Sequence, residues 1–120
     1  MERLRLIQHK GKSILIVDLS NSRDKSESVE VLARAREKID VQPPKSLLLL
    51  TDVSNAHYDH VAAEAVKEYS RANTPFIKAS AVIGVSGIKR VIFQAVIKLT
   101  GRHIATFDAV EAGLDWLAEQ

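Results

Sequence analysis

Apolar residues fall along the chain in short blocks, and their spacing switches between two and three-to-four residues. Positions 4–9 set Leu4 and Leu6 in alternation and then reach polar Gln8; Lys10-Gly11-Lys12 reads as a turn. Positions 13–19 carry Ile14, Leu15, Ile16 and Val17 without a break, the pattern of a buried strand. Two strands about a glycine-containing turn predict a β-hairpin. Polar Ser20, Asn21, Ser22 and Asp24 then offer helix caps, and Val29, Leu32, Ala33, Arg36 and Ile39 follow at helical spacing. Pro43-Pro44 ends that helix, because a residue before proline avoids the α region.

The alternation of strand and helix continues to the last residue. Positions 47–50 are four leucines, a run expected of a strand covered on both faces. A helix is expected over 58–72, with Val61, Ala62, Ala65, Val66 and Tyr69 on one face, stopped at Asn73-Thr74-Pro75. A strand is expected over 76–84, where Lys78 and Ser80 interrupt the apolar pattern and place Lys78 at a sheet edge or in solvent. Ser86 caps a helix that runs to Gly101. A short strand over 103–107 precedes a last helix that starts at Asp108, with Glu111 completing a capping box and Val110, Leu114 and Leu117 facing inward. The order ββαβαβαβα implies right-handed crossovers and a mixed, mostly parallel sheet of about five strands with four helices. No internal repeat stands out.

Composition narrows the classes. The chain has 120 residues, the size of one domain (1–120), and is 46% hydrophobic and 27% charged, which excludes a disordered chain. Its net charge is only +2, from 17 basic and 15 acidic residues, too little to predict nucleic-acid binding. Cysteine is absent, which excludes disulfides, thiolate catalysis and cysteine metal sites. The first residues lack the apolar core of a signal peptide, and no apolar run is long enough to span a bilayer, so a cytoplasmic location is expected.

Leu47-Leu-Leu-Leu-Thr-Asp-Val-Ser-Asn55, His57-Tyr-Asp59 opening a helix, and Lys78-Ala-Ser-Ala-Val-Ile-Gly-Val-Ser-Gly87, in this element order, resemble the SpoIIAA-like or STAS fold, in a bacterial branch of small STAS/SEC14-type proteins. The resemblance covers nearly the whole chain. It implies a regulatory module that works through protein contacts. In regulatory STAS proteins an Asp-Ser-Ser-Gly stretch opens the helix after a central strand and carries a phosphorylated serine. The corresponding stretch here is Asp59-His60-Val61-Ala62, which keeps the aspartate and neither serine. Ser54, on the loop before it, is the one nearby serine and a weak phosphosite candidate.

Three groups could carry chemistry or contacts. Gly84, Ser86 and Gly87 join a strand to a helix whose first turn holds Lys89 and Arg90, a candidate site for an anion or an anionic ligand. It is not a P-loop, since the spacing and the Lys-Ser/Thr pair are missing. In the helix that follows, Ile88, Val91, Ile92, Ala95, Val96 and Leu99 form one apolar stripe, and Phe93 and Ile97 form a second. A surface helix needs one stripe only, so Phe93 and Ile97 are candidates for contact with a partner chain or an apolar ligand. Lys98 and Arg102 extend a basic rim beside them. His57, Asp59 and His60 are the densest group of potential ligands, but polar capping explains them without a metal. No Ser-His-Asp set assembles from Ser54, Ser80, Ser86 and the histidines. The expectation is therefore a non-catalytic module without cofactor or metal that contacts a protein partner or itself, as a dimer or larger homo-oligomer. A binder of a small apolar or lipid-like anionic molecule is the second expectation, and an enzyme built on His57/Asp59/His60 the third.

Overall fold

Leu4–His9 (β1) and Lys12–Asp18 (β2) pair antiparallel about Lys10-Gly11 in the computed structural model. The structure describes residues 3–22, 25–56, 60–85, 88–101 and 104–120, and of residues 25, 26, 60, 62, 88, 89, 92, 96, 99 and 100 the backbone only. Both turn residues have positive φ, 51° at Lys10 and 81° at Gly11, which matches the right-handed twist of the flanking strands. The chain then alternates: Lys25–Ile39 (α1), Leu47–Asp52 (β3), His60–Asn73 (α2), Ile77–Ile83 (β4), Ile88–Thr100 (α3), Ile104–Phe107 (β5) and Val110–Ala118 (α4). A single 3-10 turn, Thr74–Phe76, links α2 to β4.

The five strands lie in sequence order, β1-β2-β3-β4-β5, parallel from β2 onward. Every crossover steps the same way across the sheet. Right-handed connections that step in one direction put their helices on one face. Accordingly Val31, Leu32, Ala35 and Ile39 of α1, Val66 and Tyr69 of α2 and Phe93 of α3 share a core with Leu15, Val17, Leu47, Leu49, Ile77 and Val82 of the sheet. The last helix follows the last strand and is free of that constraint. It folds across the opposite face, where Leu114 and Leu117 bury Ile14, Ile16, Leu48, Leu50, Ala79, Ala81 and Ile83. Two-sided cover explains why β2 and β3 are apolar without alternation.

Small residues let α4 come close. A Cβ at Gly113 would stand 2.9 Å from Ile83 Cδ1 and 3.1 Å from Leu50 Cδ1. Trp116 closes one end of this layer against Phe107, ring centroids 5.7 Å apart. His9, at the end of β1, meets the helix from the other side through Asp115, 2.8 Å away.

The structure corrects several details of the sequence reading. Helix α1 buries Ser28, Val31, Leu32, Ala35 and Ile39, while Val29 is 40% exposed and Ala33 faces solvent. Val61 is likewise 48% exposed, whereas Val66 and Tyr69 of α2 are buried as expected, together with Ser70 and Asn73. Asp108 is not the cap of α4: Ala109 holds that position in extended conformation with no side-chain cap, and Val110 is 36% exposed. Lys78 is exposed as expected, but not at a sheet edge. The β3–β4 register passes from Leu47↔Ile77 to Leu48↔Ala79, so Lys78 is the extra residue of a bulge and is turned outward. Its Nζ donates to the carbonyl of Gln120.

Candidate functional site

Open parallel sheets present their loops, and most often their sites, at the carboxyl ends of the strands. At that edge the chain uses one device twice. Asp18-Leu19-Ser20-Asn21 leaves β2 and Asp52-Val53-Ser54-Asn55 leaves β3, and Asp18 and Asp52 are partners in the register. In each, the aspartate Oδ1 accepts the backbone N–H of the serine two residues on, at 2.9 Å. The asparagine then takes a left-handed conformation, φ 60° at Asn21 and 56° at Asn55, which asparagine tolerates better than most residues. Leu19 and Val53, between aspartate and serine, are buried at 1% and 0%. The repeated Asp-x-Ser-Asn tetrad was legible in the sequence but is too short to register as a repeat.

The two turns are stitched to each other and to their neighbours. Leu19 N–H donates to the carbonyl of Asp52, Asn21 N–H to that of Ser54, and Val53 N–H to that of Ile83. Arg3 locks the outer side: its guanidinium donates to the carbonyls of Asp18 and Ser20 and pairs with Glu27 at the start of α1. Gly84 continues the edge after β4 with φ 82°. A Cβ there would stand 2.7 Å from Ser54 Cα and 2.8 Å from Ser54 N, inside any real contact distance.

The candidate residues therefore group differently from their order in the chain. Ser54 and Gly84, read as separate features, are in direct apposition, and Ser54 is half-buried against the Gly84 backbone. Arg90 is exposed in the first turn of α3. Ser86, Gly87, His57 and Asp59 lie outside the described residues, as do the side chains of Lys89 and His60, so the proposed anion turn and histidine cluster are represented only by Gly84 and Arg90.

Phe93 and Ile97 do not form one outward strip. Phe93 is 6% exposed and packs in the three-helix core, whereas Ile97 is 36% exposed and Val91, expected to be buried, is 64% exposed. The reason is the polar residues. Arg90, Gln94 and Lys98 recur every fourth position, all are exposed, and they set the solvent side of α3. Val91 and Ile97 border that stripe on either side, while Phe93 falls beyond it.

Among the described residues, two surface grooves lie beside α1, one against the start of β1 and one against β1, β2 and β3. One, of about 550 Å³, is lined by charged residues including Arg3, Glu27, Glu30 and Arg34; the other, of about 260 Å³, by Leu6, Leu15, Val41 and Leu47. Neither is lined by Gly84, Arg90, Phe93 or Ile97. Among the described residues, no helix is long and apolar enough to cross a membrane.

This architecture is the SpoIIAA-like α/β fold. The chain is similar to a crystal structure of an uncharacterised protein of the DUF3478 family, with a SpoIIAA-like fold, from Shewanella loihica PV-4. The TM-score is 0.75 at 13% identity, over 95% of this chain and 91% of that one. No family model and no curated protein matches the sequence. The likeness supports the fold expected from the sequence.

Proposed function

We propose that the protein is a non-catalytic interaction module of the STAS type, which acts in the cytoplasm through protein contacts and pairs with a second copy of itself. The observation that carries this reading is Val91, 64% exposed in the first turn of α3. It does not stand alone. Val61 is 48% exposed in the first turn of α2, the helix packed beside α3, and Ile97 is 36% exposed further along α3. Both first turns lie at the carboxyl edge of the sheet, where Ser54 and Gly84 meet. Arg90, Gln94 and Lys98 lie between Val91 and Ile97 on α3, so the apolar positions are set among polar ones, the mixed composition of a non-obligate protein interface.

The alternative of a small apolar ligand held beside Phe93 is less favoured, because Phe93 is 6% exposed and fills core space. Sedimentation velocity over a range of concentrations tests the proposal. Wild type is expected to sediment as a dimer, and Val91→Asp and Ile97→Asp as monomers with unchanged far-UV circular dichroism and a melting temperature that no longer depends on concentration. A monomeric wild type that carries a small adduct in native mass spectrometry after purification from cells would overturn the reading in favour of a ligand binder.

A further inference from the structure

The first hairpin and the last helix meet in a cluster of side chains that the interaction surface does not use. His9 closes β1, and Glu111 and Asp115 lie four residues apart in α4, hence on one face of the helix. One donor atom from each, an imidazole nitrogen and two carboxylate oxygens, falls within 4.8 Å of the others. The His9 ring is already aimed inward, with Nε2 2.8 Å from Asp115 Oδ1, and its side chain is only 18% exposed. We propose that His9, Glu111 and Asp115 form a binding site for a divalent transition-metal ion of the zinc type.

The donor set selects the class of ion. One imidazole with two carboxylates suits Zn²⁺ and its neighbours, whereas Mg²⁺ and Ca²⁺ prefer oxygen alone. Zinc holds such donors at about 2.0–2.2 Å, so three ligand atoms around one ion sit roughly 3.4 Å apart. The donor atoms already lie within 4.8 Å of one another, so reaching that spacing asks for a shift of about an ångström in the side chains. Glu111 is exposed in the first turn of α4 and free to make it. The two carboxylates share a rigid helix and the histidine ends a paired strand, so the metal would tie together two segments far apart in sequence. Solvent-facing positions leave room for water to complete the coordination.

Lys10 is the built-in competitor. Its Nζ lies 3.0 Å from Asp115 Oδ1, yet its side chain is 62% exposed and can swing into solvent when a divalent ion arrives. A cation that must displace a lysine binds more weakly than one entering an open site. This yields a result of opposite sign to ligand removal: Lys10→Ala should tighten binding.

The experiment is calorimetric titration of the full chain, stripped with EDTA, with Zn²⁺ alone, together with thermal melts. Wild type is expected to bind one ion and to melt several degrees higher with Zn²⁺, and not with Mg²⁺. His9→Gln and Glu111→Gln should each weaken binding at least tenfold, Lys10→Ala should strengthen it several-fold, and a His57→Asn/His60→Asn variant should bind as wild type does. Absence of saturable 1:1 binding overturns the proposal. So does wild-type affinity in both Lys10→Ala and Glu111→Gln, a result that stands even if His9→Gln fails to fold. Oligomeric state is not part of this readout, so the outcome is independent of the interaction reading.

Discussion

Replacing Gly84 by alanine separates two costs that usually come together. Gly84 has φ 82°, and a side chain in left-handed backbone costs roughly 1–2 kcal/mol. The new Cβ would also stand 2.7 Å from Ser54 Cα and 2.8 Å from Ser54 N. These are backbone atoms, held by the Asn21 N–H to Ser54 carbonyl bond and by the Asp52 turn, so they cannot rotate away as a side chain can. Overpacking of this kind costs about 1–3 kcal/mol. The expected loss is therefore about 2–5 kcal/mol, a large share of the 5–15 kcal/mol or so that stabilises an ordinary domain. Gly11 provides the control: its φ is 81°, but a Cβ there meets nothing within 4 Å. Gly11→Ala should lose the conformational part alone, about 1–2 kcal/mol. Urea unfolding followed by far-UV circular dichroism, with midpoints compared at unchanged slope, measures both. Adding Ser54→Ala to Gly84→Ala removes the hydroxyl and leaves the backbone collision, so it should rescue little. Equal losses for Gly84→Ala and Gly11→Ala, or full rescue by Ser54→Ala, would refute the claim that the two loops are locked backbone to backbone.

The orientation of α3 and the hairpin–α4 clasp give two further predictions. Phe93→Ala should cost about 3–5 kcal/mol as a core truncation, and Val91→Ala should stay within about 0.5 kcal/mol; thermal melts that reverse this order would mean that α3 presents its other face. The carboxyl of Asp115 is held below the usual aspartate range, first by its hydrogen bond with His9 and then by Lys10, with Glu111 nearby. A folded-state value lower than the unfolded one of about 3.9 means that this contribution is full above the unfolded value and disappears as pH falls through the lowered folded value. In EDTA, the melting-temperature gap between wild type and Asp115→Asn should therefore shrink as pH is brought below the ordinary aspartate value. A gap that stays constant down to strong acid would show that the clasp is not electrostatic.

Much of the architecture was legible because it rests on local pattern. The four leucines of β3, the Lys10-Gly11 turn, Pro43-Pro44 after α1 and Gly101 after α3 each report on backbone geometry or two-sided burial, which neighbouring residues decide among themselves. Helix rotation was less legible. In α1, α2 and α3 the apolar residues outnumber what one face needs, so Val29, Val61 and Val91 look as suited to the core as Val31, Val66 and Phe93 do. In α3 the polar residues Arg90, Gln94 and Lys98 held the answer, because a charged side chain resists burial more strongly than a valine resists water.

What the sequence determined by itself was the order of elements and the handedness of the crossovers, and hence a mixed, mostly parallel sheet with a hairpin at its start. These follow from period, turn residues and handedness, all of which act over a few residues. Only the tertiary structure decided that Ser54 lies against Gly84, that the two Asp-x-Ser-Asn turns stand side by side, and that His9 meets Glu111 and Asp115. Those contacts join segments far apart in the chain. Their partners are set by strand register and by the face α4 chose, and no local spacing encodes either one.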